Sequence, residues 1–202
     1  WPPENTLNVM FDSGDPITGM WVQQGRLFVI KMENGLHTIY PTSGGYGMQT
    51  LNLSSNCVAH HSICVVGNIA YWVSPSGLWR FDGGTDPVNV SSDKIRSTFR
   101  DYTRSSQVFG AITIQERDSE LPWVRVFLRN SGNTSTDCLI WDYEKECWTI
   151  ERYSNDIAQS TVLAHFRDSL DRFRIYAADN TGKAFRLRTN EAGDSVYDDS
   201  GS

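Results

Sequence analysis

The sequence predicts an all-β chain, and within that class a β-propeller, on three observations. A strand–turn–strand unit occurs four times, the copies recur at about the length of a propeller blade, and a further strand-like run precedes each copy. The unit is plainest at residues 69–73 (IAYWV), a turn at Ser74-Pro-Ser-Gly77, and residues 78–83 (LWRFDG). Aromatic and β-branched runs around a Pro/Gly turn read as a hairpin. Earlier copies of that reading are residues 26–31 (RLFVIK), a turn at Glu33-Asn34-Gly35, and residues 36–40 (LHTIY). Asn-Gly is the strongest short hairpin signal, because both residues tolerate positive φ. Later copies are residues 124–129 and 137–142, joined through a polar loop at 130–136, then 172–177 and 183–187 around a turn at 179–182.

Spacing supports the repeat. Gly35 and Gly77 lie 42 residues apart, Gly77 and Asp137 lie 60 apart, and Asp137 and Gly182 lie 45 apart. The preceding runs are 17–22, 62–66, 108–114 and 160–164, and shorter runs such as 87–90 and 147–150 follow. Three strands plus a fourth at a period of about 45 residues is the arithmetic of a propeller blade. The long interval holds residues 92–103, where Ile95, Phe99 and Tyr102 form one apolar stripe of a short helix, with Ser91 or Ser92 as its cap. The blade-like units fall at about 17–53, 62–103, 107–151 and 159–202 of one propeller domain. An opening at Trp1 and a tail, 195–202, that stops in mid-strand lead us to expect part of a propeller with more blades.

Composition bounds the function classes. The 202 residues carry 18 Lys+Arg against 24 Asp+Glu, a formal net charge of −6, with 39% hydrophobic and 12% aromatic residues. That is enough chain and enough aromatic side chain for a real core. No run approaches the roughly 18 apolar residues of a membrane helix. The acidic balance argues against sequence-independent nucleic-acid binding, which wants a basic face. Four cysteines are too few for a disulfide scaffold. They fall as two local pairs, Cys57/Cys64 and Cys138/Cys147, and the second pair flanks a hairpin across which its sulfurs could approach. Buried free thiols are the commoner use of so few cysteines, so the free-thiol reading is preferred.

Several constellations have residue types suited to chemistry. Cys57, His60, His61 and Cys64 have the ligand types for zinc, but in an extended segment the two imidazoles point to opposite faces. Glu116, Asp118 and Glu120 lie in a polar loop, and Asp142, Glu144 and Glu146 bracket a turn, where carboxylates are ordinarily solvated. The stretch Ser13-Gly-Asp15-Pro-Ile-Thr-Gly-Met-Trp21 nearly matches the sialidase Asp-box, with Ile17 where glycine belongs. There is no nucleophile elbow, dinucleotide fingerprint or Walker loop, and Gly44-Gly-Tyr-Gly47 leads into no helix. Asn52, Asn89 and Asn133 begin chance-level glycosylation triplets. Arg96, Arg100 and Arg104 recur every four residues as one cationic helix edge, balanced by Asp93 and Asp101. Trp141-Asp142 is the dipeptide of tryptophan-aspartate repeats, without the early Gly-His pair of that family. These residues give no catalytic, cofactor-binding or metal site, and the chain is read as a non-enzyme.

One segment carries a resemblance. Val66-Gly-Asn68, Ser74-Pro-Ser-Gly77, Trp79-Arg-Phe-Asp-Gly83 and Pro87-Val-Asn-Val-Ser91, followed by a short helix at Ile95, resembles a pattern of bacteriophage tail proteins. Leu139-Ile-Trp-Asp-Tyr143 with Cys147-Trp-Thr149, and Ile175-Tyr-Ala-Ala-Asp179 with Gly182, are similar to its companion elements, although Ala178 stands in place of a glycine. The family is the propeller-type tail hub, nozzle or stabilisation proteins below the portal of short-tailed phages, and the likeness spans about residues 17–190. The resemblance implies a virion structural protein in the phage tail. It further implies a homo-oligomeric ring contacting portal or adaptor and neighbouring tail proteins, with no catalytic residue, cofactor, membrane or sequence-specific nucleic-acid partner. An acidic wall also suits a DNA conduit, which must not grip phosphates. The alternative is a non-enzymatic propeller that recognises glycan or peptide through exposed aromatics such as Trp21, Tyr46 or Trp123.

Overall fold

The computed structural model describes residues 9, 14–57, 59–66, 68–84, 86–91, 93–102, 108–114, 123–129, 135–154, 160–167, 173–179 and 184–186. They form four antiparallel sheets and one short helix, in two compact units, 1–96 and 97–202. The chain is mostly β, as its alternating aromatic and β-branched runs require.

In the first unit, β1 (Ile17–Gln23), β2 (Arg26–Lys31), β3 (Leu36–Thr42) and β4 (Gly45–Asn52) make a meander in that order. A second meander follows: β5 (Cys64–Val66), β6 (Ile69–Ser74), β7 (Gly77–Phe81) and β8 (Val88–Asn89). The turn of β1 into β2 uses Gln24 and Gly25, both at positive φ (51° and 71°), the mirror-image turn that matches strand twist. The first sheet turns Trp21, Phe28, Ile30 and Leu36 against Ala70, Trp72 and Phe81 of the second. The Trp21 ring stacks on Phe28 at 5.5 Å and lies 5.5 Å from Trp72, while Phe28 meets Phe81 edge-on at 5.2 Å. Gly19 leaves room for Ile63, whose side-chain tip a Cβ there would run into.

Helix α1 (Asp93–Tyr102) matches the predicted helix, and Ile95 and Phe99 of its stripe are buried. The Ser91 hydroxyl, one of the two caps the sequence offers, accepts the Leu78 N–H at 2.8 Å and so pins β7, whereas Ser92, the other, lies outside the described residues. In the second unit the sheet order is β12 (Cys147–Ser154), β11 (Ser135–Asp142), β10 (Trp123–Arg129), β9 (Val108–Ile114). Then come β13 (Ser160–Arg167), β14 (Phe173–Asp179) and β15 (Ala184–Arg186). Strand β10 is buried on both faces from Val124 to Leu128, and β13 runs close to β9. Phe99 packs edge-on against Trp148, which sits 5.1 Å from its cross-strand partner Trp141.

All four cysteines are free thiols. That agrees with the free-thiol reading preferred from the sequence, and the hairpin register shows why Cys138 and Cys147 do not bridge. Cys138 lies opposite Glu151 and Cys147 opposite Asp142, so four residue pairs separate the thiols. At about 3.4 Å per residue that is roughly 14 Å, far beyond disulfide reach.

Candidate functional site

The segment carrying the family-like pattern folds into a polar clasp on the second sheet. Ser74 and Ser76 hydroxyls lie 2.7 Å apart, and both accept the Trp79 indole N–H, at 2.8 and 3.0 Å. The Ser76 N–H donates to Ser74 Oγ at 3.0 Å, closing the turn around Pro75. From β8, Asn89 Nδ2 donates to the Ser76 carbonyl at 3.0 Å, and Asn89 Oδ1 accepts the Ser91 N–H at 2.9 Å. Gly77 is required here. It has φ 133°, and a Cβ would collide with the Ser91 side chain. The spacing of serine, glycine, tryptophan, asparagine and serine is thus the spacing of one hydrogen-bonded joint between β6, β7 and β8.

The cysteine–histidine stretch is organised differently from its extended reading. His60–Ser62 is a 3-10 turn, so the imidazoles do not alternate across a strand, and both are exposed. Ser62 Oγ donates to the Ala59 carbonyl at 2.7 Å and accepts the Val73 N–H at 3.2 Å. The Cys57 thiol donates to the same carbonyl at 3.2 Å. Burial pushes the Cys57 thiol up, and pushes Cys64 up to about 12, so both are held as thiols. Among the described residues no three His, Cys, Asp or Glu side chains gather as a metal-binding group.

Both aspartates singled out in the sequence hold turns. Asp15, from the Asp-box-like stretch, accepts the N–H groups of Glu33 (3.0 Å) and Asn34 (2.6 Å) and the Asn34 side-chain amide (2.9 Å). Gly35 takes the left-handed position of that turn, at φ 73°. Asp142 is not a solvated turn carboxylate as expected. It is buried at 6% exposure and accepts the Lys145 N–H (2.9 Å), the Glu144 N–H (3.1 Å) and the Trp123 indole (3.3 Å). Burial alone would raise its carboxyl. The hydrogen bonds from Lys145, Trp123 and Glu144, with the Lys145 ammonium, outweigh burial and hold it below the ordinary value. Glu144 and Glu146 remain exposed, whereas Glu116, Asp118, Glu120, Ser13 and Asn133 lie outside the described residues.

The three aromatics expected at exposed loop ends differ in their exposure. Trp21 is core at 7% exposure, with its indole N–H on Gln23 Oε1. Trp123 is half-buried, tied to Asp142 and covered by the Arg125 guanidinium 5.4 Å from its ring. Tyr46 alone of the three is exposed, at 72%. The Gly44–Gly47 stretch enters β4 after a tight turn rather than forming an anion cradle. Asn52 closes its own loop by accepting the Ser54 and Ser55 N–H groups, and Arg96 is exposed on α1.

One polar group escaped sequence reasoning. His37 is fully buried on β3, with Nε2 2.9 Å from the Asn34 carbonyl and Nδ1 3.1 Å from Thr50 Oγ1. Burial lowers its pKa, the Asn34 bond opposes that, and Lys31 lowers it further against Asp15. A histidine at a strand position gives no signal of this beyond its place in an apolar run.

No family model matches the chain, and no curated protein matches its sequence. Among solved structures, the chain is similar to the extracellular domain of the hybrid two-component system BT3049 from B. thetaiotaomicron. That likeness has a TM-score of 0.54 at 10% identity and covers 94% of this chain but 24% of the other, so this chain spans about a quarter of that structure's length. At such identity the likeness concerns the fold alone.

Proposed function

We propose that the chain is a non-catalytic β-propeller segment serving as a structural subunit of a short-tailed bacteriophage tail. In this reading it belongs to a ring of hub or nozzle type that contacts portal or adaptor and neighbouring tail proteins. The propeller reading is supported by four antiparallel meanders in series, and by the proximity of the first strands β9 and β13 of consecutive sheets. The structural role is carried by the clasp. The residues that give the sequence its tail-protein resemblance (Ser74, Ser76, Gly77, Trp79, Asn89 and Ser91) bond to one another, and their chemistry is that of a scaffold. The ligand-binding alternative has the exposed Tyr46 in its favour.

Peptide mass spectrometry on density-gradient-purified virus particles tests the proposal. The expected result is this chain in the particle fraction at about six or twelve copies, the counts of a closed ring. Recovery only from the soluble fraction, with binding in a glycan array, overturns it in favour of the ligand-binding propeller.

A further inference from the structure

Natural sheets protect their edges with short strands, charges, prolines or bulges, because an unprotected edge adds another strand. The closing strands of the described sheets differ sharply in this respect. Strand β8 has two residues and follows Pro87, β15 has three, and β12 carries Glu151 and Arg152. Strand β4 has eight residues, reads GYGMQTLN, and contains neither charge nor proline. It lies at the end of its sheet, paired with β3 among the described residues. It also sits in a long uncharged tract: no Asp, Glu, Lys or Arg occurs between Glu33 and Arg80, in a chain where 21% of residues are charged.

The register says which backbone groups this edge offers. Pro41 is opposite Tyr46 and has no N–H, so that pair is a non-hydrogen-bonded one. Antiparallel pairs alternate, so Ile39·Met48 and His37·Thr50 are of the same kind. The N–H and C=O groups of Tyr46, Met48 and Thr50 therefore turn away from β3, toward the open edge. Their side chains share one face of the sheet with the row Val22, Leu27, Ile39, Met48, of which Val22 is 68% exposed.

We propose that β4 is a self-pairing edge whose occupant is β4 of a second copy of this chain, antiparallel about Met48. Two identical antiparallel strands are related by a two-fold axis normal to the sheet, which places a residue opposite itself. With Met48 on the axis, Tyr46 faces Thr50 of the second copy and Thr50 faces its Tyr46, so all the outward groups meet in one ladder. Any charged residue near such an axis would oppose its own like charge, at a penalty. The absence of charge makes β4 compatible with itself even in a chain of net charge −6. The apolar row then runs unbroken from one sheet into the next. This dimer edge is independent of the tail assignment and holds for either function.

Sedimentation velocity on the full chain over a concentration series is the test, with the Cys147→Ser background used for crosslinking. Wild type is expected to show a concentration-dependent monomer–dimer equilibrium. Met48→Lys is expected to weaken it at least tenfold, and Met48→Pro, which removes an N–H not used by β3, to abolish it with an unchanged circular dichroism spectrum. Hydrogen-bonded antiparallel pairs hold their Cα atoms about 5.5 Å apart, within disulfide range. Met48→Cys should therefore crosslink on oxidation while Gln49→Cys should not. A monomer at every concentration, a dimer that survives Met48→Lys, or equal crosslinking at 48 and 49 overturns the proposal.

Discussion

The turn between β2 and β3 and the turn between β11 and β12 each rest on one aspartate, but the two reach their turns from different distances along the chain. Asp15 lies ahead of β1 and accepts N–H groups 18 and 19 residues away. Asp142 ends β11 and accepts N–H groups two and three residues on. The left-handed position also differs, with Gly35 at φ 73° in the first turn and Glu146 at φ 50° in the second. A turn closed from afar joins segments that must find each other during folding. A turn closed by its own root forms locally, and its loss leaves the strand ladder beneath it intact.

Of the positions in these two turns, Gly35 is the most sensitive to substitution. A Cβ there meets the Asn52 carbonyl and the Leu53 backbone, besides the strain of positive φ. Gly35→Ala is expected to destabilise by about 3 kcal/mol in urea unfolding. Asp15→Ala comes next, at about 2 kcal/mol, because hydrogen bonds to a charged acceptor contribute roughly 1.5–3 kcal/mol and the half-buried Asn34 N–H loses its partner. Asp142→Ala is expected to lose about 1 kcal/mol: Glu144 and Lys145 are exposed, so their N–H groups can turn to water, and the half-buried Trp123 indole N–H bears the main loss. Equal losses for the two aspartates would show that the two turns depend on their carboxylates alike.

Acid titration followed by residue-resolved hydrogen exchange separates the two turns by pH. His37 has a folded pKa below 6.5, so its neutral state stabilises the first sheet above that pH. That contribution is lost as pH falls from 6.5 through the folded value, because the unfolded chain takes up the proton first. Asp142 has a folded pKa below 3.8, so its contribution is intact down to that pH and is lost only below it. The first turn should loosen in mild acid while the second holds, and His37→Gln should flatten the first loss. The smallest expected effect is a gain. Glu146→Gly relieves a left-handed non-glycine residue and should add about 0.5–1 kcal/mol. Unchanged or lower stability would show that the Glu146 side chain contributes to its turn.

The same contrast explains what could be read from the sequence. Strands β2, β6, β9 and β10 were legible because aromatic and β-branched residues fill them. The helix was legible because Ile95 and Phe99 keep one face. Strand β4 is not legible in the sequence, since Gly45, Gly47, Gln49 and Thr50 dilute its pattern and β3 holds it in the sheet. The sequence places Trp21 at a loop end, but its burial depends on Trp72, which lies in a different sheet. The serine–glycine–tryptophan pattern was visible as a pattern, but its bonds to Asn89 and Ser91 require the fold. Long-range partnerships such as Asp15 with Asn34 leave no trace in local spacing.

The four thiols carry a practical consequence. Cys57 and Cys138 are buried, Cys64 is half-buried with its proton held by its surroundings, and Cys147 stands exposed at the start of β12. A thiol reagent therefore meets one reactive sulfur on the native chain and four on the opened one. Each added label marks an opening event, with Cys57 and Cys64 reporting the first unit and Cys138 the second. The chain carries its own clock for local unfolding, readable by intact-mass measurement without any engineered probe.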